Sequence, residues 1–209
     1  KILEHLVDVV LNFEGDRYGG FRVVRAQKNR YGSTNEAAIF EMDERGLRIV
    51  KNPSAELLAE RQNLDGSIVL ATMEGARPLL VEIQALVNPT NFGYPKRTAS
   101  GFDLNRLNLL VAVLEKRTKL KLADKDIYVN VVGGLKLNDP AADLAVAMAI
   151  ASASAGRSLD EGAVVFGEIG LGGEVRSATN WQARIKEAKK LGFTYAIAPK
   201  VHKDKFIKG

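Results

Sequence analysis

The chain has 209 residues, 46% hydrophobic and 26% charged, with 19 Gly and 6 Pro, which excludes a disordered tail, a coiled coil and a collagen and allows about 70% of the unfolded surface to be buried. No Cys and only two distant His, His5 and His202, are present, so a disulfide framework, a thiolate zinc site and a His-based metal cluster are excluded and no metal site is expected. No apolar run approaches the ~20 residues of a membrane span, and the acids in KILEHLVDVVLNFEGD do not suit a signal peptide, so a cytoplasmic protein without membrane contact is expected.

Residues 6–50 read as three short strands, LVDVVLNFE, FRVVRAQKN and EAAIFEMDERGLRIV, with turns at GDRYGG and YGSTNE. Three strands without a helix to cover them cannot make a core, so residues 1–51 are expected to be the edge of a larger sheet that starts inside a domain. NPSAELLAERQ, with Asn52 or Ser54 as cap, reads as a short linker helix within residues 52–65.

From residue 66 to 209 the pattern is that of a complete domain. SIVLATMEGARPLLVEIQALV reads as a hairpin turning near Glu74 and Gly75. A helix from Phe102 carries Leu104, Leu107, Leu110, Val111 and Leu114 at helical spacing, and DIYVNVVGGLKL is a strand. The next helix has Asp139 as cap, Pro140 in its first turn and Gly156 at its end. AVVFGEIGLGGEVRSA is a second hairpin, TNWQARIKEAKKLG an amphipathic helix stopped by Gly192, and TYAIAPK a final strand. Hairpins mixed with helices predict an α+β domain, not a doubly wound parallel sheet.

The net charge of +5 is unevenly spread. Residues 1–90 hold 11 Lys/Arg against 13 Asp/Glu, residues 91–136 hold 9 against 4, and residues 137–209 hold 10 against 8. A basic excess beside Gly, Asn and aromatic residues (NFGYPKRTASGF) suggests a polyanion surface, most often nucleic acid, against the alternative of a solvated face kept for solubility. Lys96, Arg97, Arg106, Arg117, Lys119, Lys121 and Lys136 are the cations expected to supply it, with Lys96-Arg97 in a flexible loop and Arg106 on the polar side of its helix.

In Lys28-Asn29-Arg30-Tyr31-Gly32, two cations at i and i+2 of an extended segment project to one side before a Gly turn. A point charge beside a planar fork suits the terminal phosphate of a nucleotide, including an arginine-finger role across a subunit interface; an exposed strand edge kept soluble by charge is the alternative. The glycines of GGLKLNDPAADLA and GLGGEVRSATNWQARIKEA precede helices, but no GxxxxGK[ST] is present, so the chain alone builds no nucleotide site. Asp139 and Asp143 read as a cap and a surface acid rather than a catalytic pair.

VDVVLNFEGDR, KNRYGSTNEAAIFEM, GFDLNRLNLLVAVLEKR, GGLKLNDPAADLAVAMAIAS and GEIGLGGEVRSATNWQARIKEAKKLGF together resemble the C-terminal part of the bacterial RadA (Sms) family of DNA repair and recombination proteins. Lys28 to Gly32 match the KNRFG signature of that family with Tyr for Phe. The resemblance implies the end of a RecA-like ATPase core, then a Lon-protease-like domain of the ribosomal protein S5 domain 2-like kind. The four-cysteine zinc finger and the phosphate-binding loop of the family lie outside the chain. Aligning the two Lon-type blocks puts Ala141 at the nucleophilic Ser and Gln182 at the Lys of the Ser-Lys dyad, which removes both working groups of a peptidase.

The resemblance further implies a DnaB-like hexameric helicase that uses ATP and Mg to promote branch migration. Lys28 and Arg30 would act on a neighbour's ATP, and the Lon-like domain would be a scaffold for DNA binding and assembly. Partners would be single- and double-stranded DNA without sequence preference, further copies of the chain and a RecA-type recombinase filament. A peptidase using another Ser such as Ser177, and a purely structural ring-forming domain, are the competing readings.

Overall fold

The structure, a computed structural model, describes residues 3–15, 20–91, 93–200 and 207–208. Most of the turn expected at GDRYGG, and His202, lie outside the described residues. The first unit is a four-stranded antiparallel sheet in the order β1 (Val9–Glu14), β2 (Phe21–Asn29), β3 (Ala37–Asp43), β4 (Gly46–Ile49). Three strands were expected there. EAAIFEMDERGLRIV instead folds back on itself, because the Arg45 amide donates to Asp43 Oδ1 at 2.7 Å and Gly46 takes φ 113, which closes a tight turn.

Strand alternation gives this sheet two unlike faces. Val23 and Ile39 are buried towards the rest of the chain, while Leu11, Phe13, Met42, Leu47 and Ile49 are exposed, and Met42 pairs with Leu47. Two apolar faces on one sheet require a layer on each side, and the described residues supply one.

Helix α1 (Pro53–Leu58) is capped by Asn52, whose Oδ1 accepts from the Ala55 amide. It is not a loose linker. The fully buried Ser54 hydroxyl donates to Glu187 Oε1 at 2.9 Å and accepts from the Leu80 amide at 3.1 Å, and Leu57 sits so close to Gly133 that a Cβ there would collide with it. One continuous set of buried side chains therefore runs from Val23 and Ile39 through Val50 and Leu57 into the second unit.

The second unit is a seven-stranded mixed sheet. Its strands are β5 (Ser67–Glu74), β6 (Arg77–Pro89), β7 (Arg97–Ser100), β8 (Lys125–Val131), β9 (Ala163–Val165), β12 (Tyr195–Ile197) and β13 (Ile207–Lys208), in the order β13-β12-β9-β5-β6-β8-β7. β5, β6 and β8 are antiparallel, while β7 with β8, and β9 with β5 and β12, are parallel, which fits the α+β expectation. The expected 163–178 hairpin is divided: β9 enters the large sheet, and only β10 (Glu168–Ile169) and β11 (Val175–Arg176) pair with each other. The Gly167 amide donates to the Ala141 carbonyl at 2.8 Å and turns the chain away after β9.

Helix α2 (Leu104–Arg117) starts two residues later than expected, with Asp103 Oδ1 accepting from the Arg106 amide. Leu107, Leu110, Val111 and Leu114 are buried, but Leu104 at the first helical position is exposed beside a groove shared with Phe13. Asp139 caps a 3-10 turn, Pro140–Ala142, that leads into α3 (Asp143–Ala155), and Gly156 ends it in the left-handed region at φ 60. α4 (Trp181–Lys190) follows. Among the described residues no helix is long and apolar enough to cross a membrane.

The two sheets meet at the β5–β6 turn. Gly75 has φ 58, a Cβ there would strike the Asn35 carbonyl oxygen, and the Ala76 amide donates to that same oxygen at 2.5 Å. Gly75→Ala is expected to cost about 1–3 kcal/mol through backbone strain and displacement of the β2–β3 loop. Urea unfolding checks this: an unchanged midpoint would mean that the contact does not constrain the fold.

Candidate functional site

Lys28–Gly32 forms the corner at the end of β2. β2 ends at Asn29, so Lys28 is in the strand and Arg30 in the following turn, which corrects the expectation of two cations on one extended face. Lys28 Nζ donates to the Glu4 carbonyl at 3.0 Å. Arg30, 72% exposed, donates through Nη1 to Asp8 Oδ1 at 3.0 Å, and the Tyr31 hydroxyl donates to Asp8 Oδ2 at 3.1 Å. Asn29 Oδ1 accepts from the Tyr31 amide at 3.0 Å, and its Nδ2 donates to the Ser33 carbonyl. A Cβ on Gly32 would press on that Nδ2. The corner thus presents a guanidinium and an aromatic ring outward from a hydrogen-bonded turn.

The basic segment is more ordered than its Gly, Pro and Ser content suggests. Arg97 opens the edge strand β7, the Lys96 amide donates to Asp126 Oδ1 at 2.7 Å, and the Ile127 amide donates to the Lys96 carbonyl at 2.9 Å. Arg97 donates to the Lys125 carbonyl and, at 2.9 Å, to the Leu122 carbonyl, so it ties β7 to the loop after α2.

Arg106 is tied to fixed acceptors rather than free on the polar side of its helix. It donates to both oxygens of Asp143, through Nε at 2.9 Å and through Nη2, and to the Ile169 carbonyl at 2.8 Å. Asp143 was expected at the surface but is 1% exposed, and a buried carboxylate needs a cation. The pair also holds the guanidinium above its ordinary range. Arg117, Lys119 and Lys121 are exposed at the end of α2 and in the loop after it. Lys136 is exposed at the opposite end of β8, in the groove lined by Phe13 and Phe102. The structure therefore leaves Lys96, Arg117, Lys119 and Lys121 exposed, commits Arg97 and Arg106 internally and sets Lys136 at the opposite end of β8.

Ala141 and Gln182 do not form a catalytic pair. Ala141 is buried in the 3-10 turn, its amide donating to Asp139 Oδ1 at 3.0 Å, while Gln182 is exposed in a dent with Trp181, Ile185 and Lys186. Neither side chain offers a nucleophile or a base. Ser177 is exposed, and no Lys or His hydrogen-bonds its hydroxyl among the described residues.

The two blocks are joined instead by their neighbours. Arg184, fully buried, donates through Nη1 to Asp139 Oδ2 at 2.6 Å and to the Ala71 carbonyl at 2.7 Å, and through Nε to the Thr179 carbonyl at 3.0 Å. Its guanidinium stands 5.7 Å from the centre of the Phe166 ring. Asp139 Oδ2 also accepts from Thr72 Oγ1 at 3.0 Å and the Met73 amide at 3.1 Å. Sequence reasoning missed Arg184, although Trp181, Arg184, Ile185 and Ala188 share the inward stripe of α4. A cation on such a stripe is the available signal for a buried partner.

Burial alone would raise the Asp139 carboxyl, but the Arg184 guanidinium, the Ala141 amide and the Thr72 hydroxyl hold it below the usual aspartate range. A carboxyl lowered on folding contributes stability above its unfolded pKa of about 4 and loses it as pH falls through the folded value. Asp139→Asn is therefore expected to cost about 3–5 kcal/mol at neutral pH by leaving Arg184 without its counter-charge. In urea titrations from neutral to acid pH, the gap between the two proteins should narrow below about pH 4. A gap constant across that range would mean that the ionised carboxylate is not what holds Arg184.

Comparison with known proteins gives matches along nearly the whole chain. Three proteins named DNA repair protein RadA are similar to it. The one from Halalkalibacterium halodurans is 54% identical over 95% of this chain and 44% of its own length. That from Aquifex aeolicus is 48% identical over 96% and 45%, and that from Bacillus subtilis is 52% identical over 100% and 46%. The chain thus spans less than half the length of these relatives. The family described as subunit ChlI of Mg-chelatase matches residues 106–202, from the first turn of α2 to just beyond β12.

Proposed function

The chain belongs to the RadA family over the span it covers, and on that premise we propose that it is the C-terminal portion of a DNA-repair ATPase. Residues 1–51 end a RecA-like core, residues 52–65 connect it, and residues 66–209 form a proteolytically inactive Lon-like domain for DNA binding and ring assembly. The complete protein would be a cytoplasmic, DnaB-like hexameric helicase driving branch migration beside a RecA-type filament. The exposed apolar face of the first sheet supports this division, since a preceding core would cover it.

ATP and Mg would be held mainly by the rest of the protein, where zinc would also sit in the N-terminal finger. This chain fits only the contribution in trans: Lys28 anchors the turn, and Arg30 presents a fork to a neighbour's terminal phosphate as charge develops there. Bound nucleotide supplies the phosphoryl group; the chain supplies position and positive charge.

The observation that carries the DNA reading is the exposure of Arg117, Lys119 and Lys121 at the end of α2 and in the loop after it. Exposed cations neutralise phosphates without reading bases, so binding should be sequence-tolerant. Replacing Lys119 and Lys121 by Ala is expected to weaken binding to single and double strands alike and to flatten log K against log salt by about 0.7–0.9 per lost phosphate contact. Arg106→Ala should instead lower stability without changing that slope. Equal slopes for the wild type and the Lys119/Lys121 variant on mixed-sequence DNA would remove DNA from this end and leave a structural ring-forming domain. For the clamp, Arg30→Ala in the full-length protein is expected to cut ATP turnover about 10³-fold; near-normal turnover would return the corner to an exposed, charged edge.

A further inference from the structure

We propose that Asp8 is a positioning residue for Arg30, the group that fixes the guanidinium before a neighbour's nucleotide arrives; the proposal rests on the reading of Arg30 as a cation acting in trans. Asp8 lies just before β1, far in sequence from the Lys28–Gly32 corner, yet it meets the corner three times. Its carbonyl accepts from the Arg30 amide at 2.9 Å, its Oδ1 from Arg30 Nη1 at 3.0 Å, and its Oδ2 from the Tyr31 hydroxyl at 3.1 Å.

Arg30 and Tyr31 are among the more exposed side chains of the protein, at 72% for the Arg30 side chain and 78% for Tyr31. Ion pairs this open to water add little to folding. What the contacts do is remove rotational freedom. A guanidinium on a long stem has many rotamers in water, and a carboxylate whose other oxygen is occupied by a tyrosine hydroxyl selects one of them. The contact uses Nη1 alone, so the remaining donors of the fork have no acceptor among the described residues and are available to phosphate oxygens. Glu4 does the same for Lys28 through its carbonyl, so the segment before β1 holds both cations from one side.

The test is steady-state ATP turnover by the full-length protein. Asp8→Ala is expected to lower kcat about 10²-fold, the cost of misplacing a catalytic group by roughly 1 Å, with KM for ATP close to wild type. Because Asp8 is exposed, melting temperature and sedimentation should match the wild type. Asp8→Asn keeps an acceptor for Arg30 and should fall between the two. The deciding comparison is Arg30→Ala against the double variant: a residue acting through Arg30 has nothing left to position, so adding Asp8→Ala should cause no further loss. Wild-type kcat for Asp8→Ala, or a second full loss in the double variant, would overturn the assignment. Wild-type kcat for Arg30→Ala would instead overturn the trans reading, and this proposal with it.

Discussion

The Asp139 carboxylate is the point on which the second unit is assembled. With Oδ1 it holds the Ala141 amide at the start of the 3-10 turn, and with Oδ2 it accepts from Thr72, Met73 and Arg184. One side chain thus joins the end of β5, the entrance to α3 and the inward face of α4, three pieces separated by more than forty residues of sequence at each step. A carboxylate buried to this depth is costly unless nearly every lone pair is used, and here they are. The arrangement specifies more than it stabilises: apolar residues of the same volume could fill the space, but they would not demand that these three elements meet in one register.

One helical turn further on, Asp143 repeats the device. It takes the fork of Arg106 and the amide of Ile169, and so binds α2 and β10 to the start of α3 as Asp139 binds β5 and α4. Two ion pairs, each with a buried carboxylate, therefore flank Ala141. The hairpin that Asp139 grips at Met73 also continues outward to Glu74 and Gly75. Glu74 accepts the Arg25 guanidinium from β2, and Gly75 admits the Asn35 carbonyl from the β2–β3 loop. Burial pushes the Glu74 carboxyl up in spite of Arg25, as expected where the joint between two sheets excludes water. The loop that begins with Arg30 is thereby held to the same hairpin as the interior of the second unit.

Much of this framework was legible in the chain because its signals are local. Asp139 followed by Pro140, with Gly156 thirteen residues beyond Asp143, marks both ends of α3, and Glu74-Gly75 marks the hairpin. What escaped depends on partners distant in sequence. The β3–β4 turn was hidden because Asp43 and Gly46 stand in an otherwise unbroken strand-like run. β7 was read as flexible because its order comes from β8, Asp126 and the carbonyls that Arg97 reaches. Asp143 on a helix surface looks solvated until Arg106 and Ile169 are brought over it.

The basic segment shows why charge counted along a chain overstates a binding surface. A cation is available to a polyanion only if no buried acceptor has claimed it, and sequence cannot tell the two cases apart. Arg97 and Arg106 have planar forks that satisfy several fixed acceptors at once, carbonyls in one case and a carboxylate with a carbonyl in the other. Lys119 and Lys121, point charges on flexible stems, remain in solvent. The division follows from chemistry: rigid multidentate donors are the ones a fold can use to tie its own backbone, and compact hydrated ammonium groups are the ones it leaves outside. In this segment Arg97 and Arg106 tie structured elements together, and Arg117 with the lysines of the loop furnishes the exposed charge.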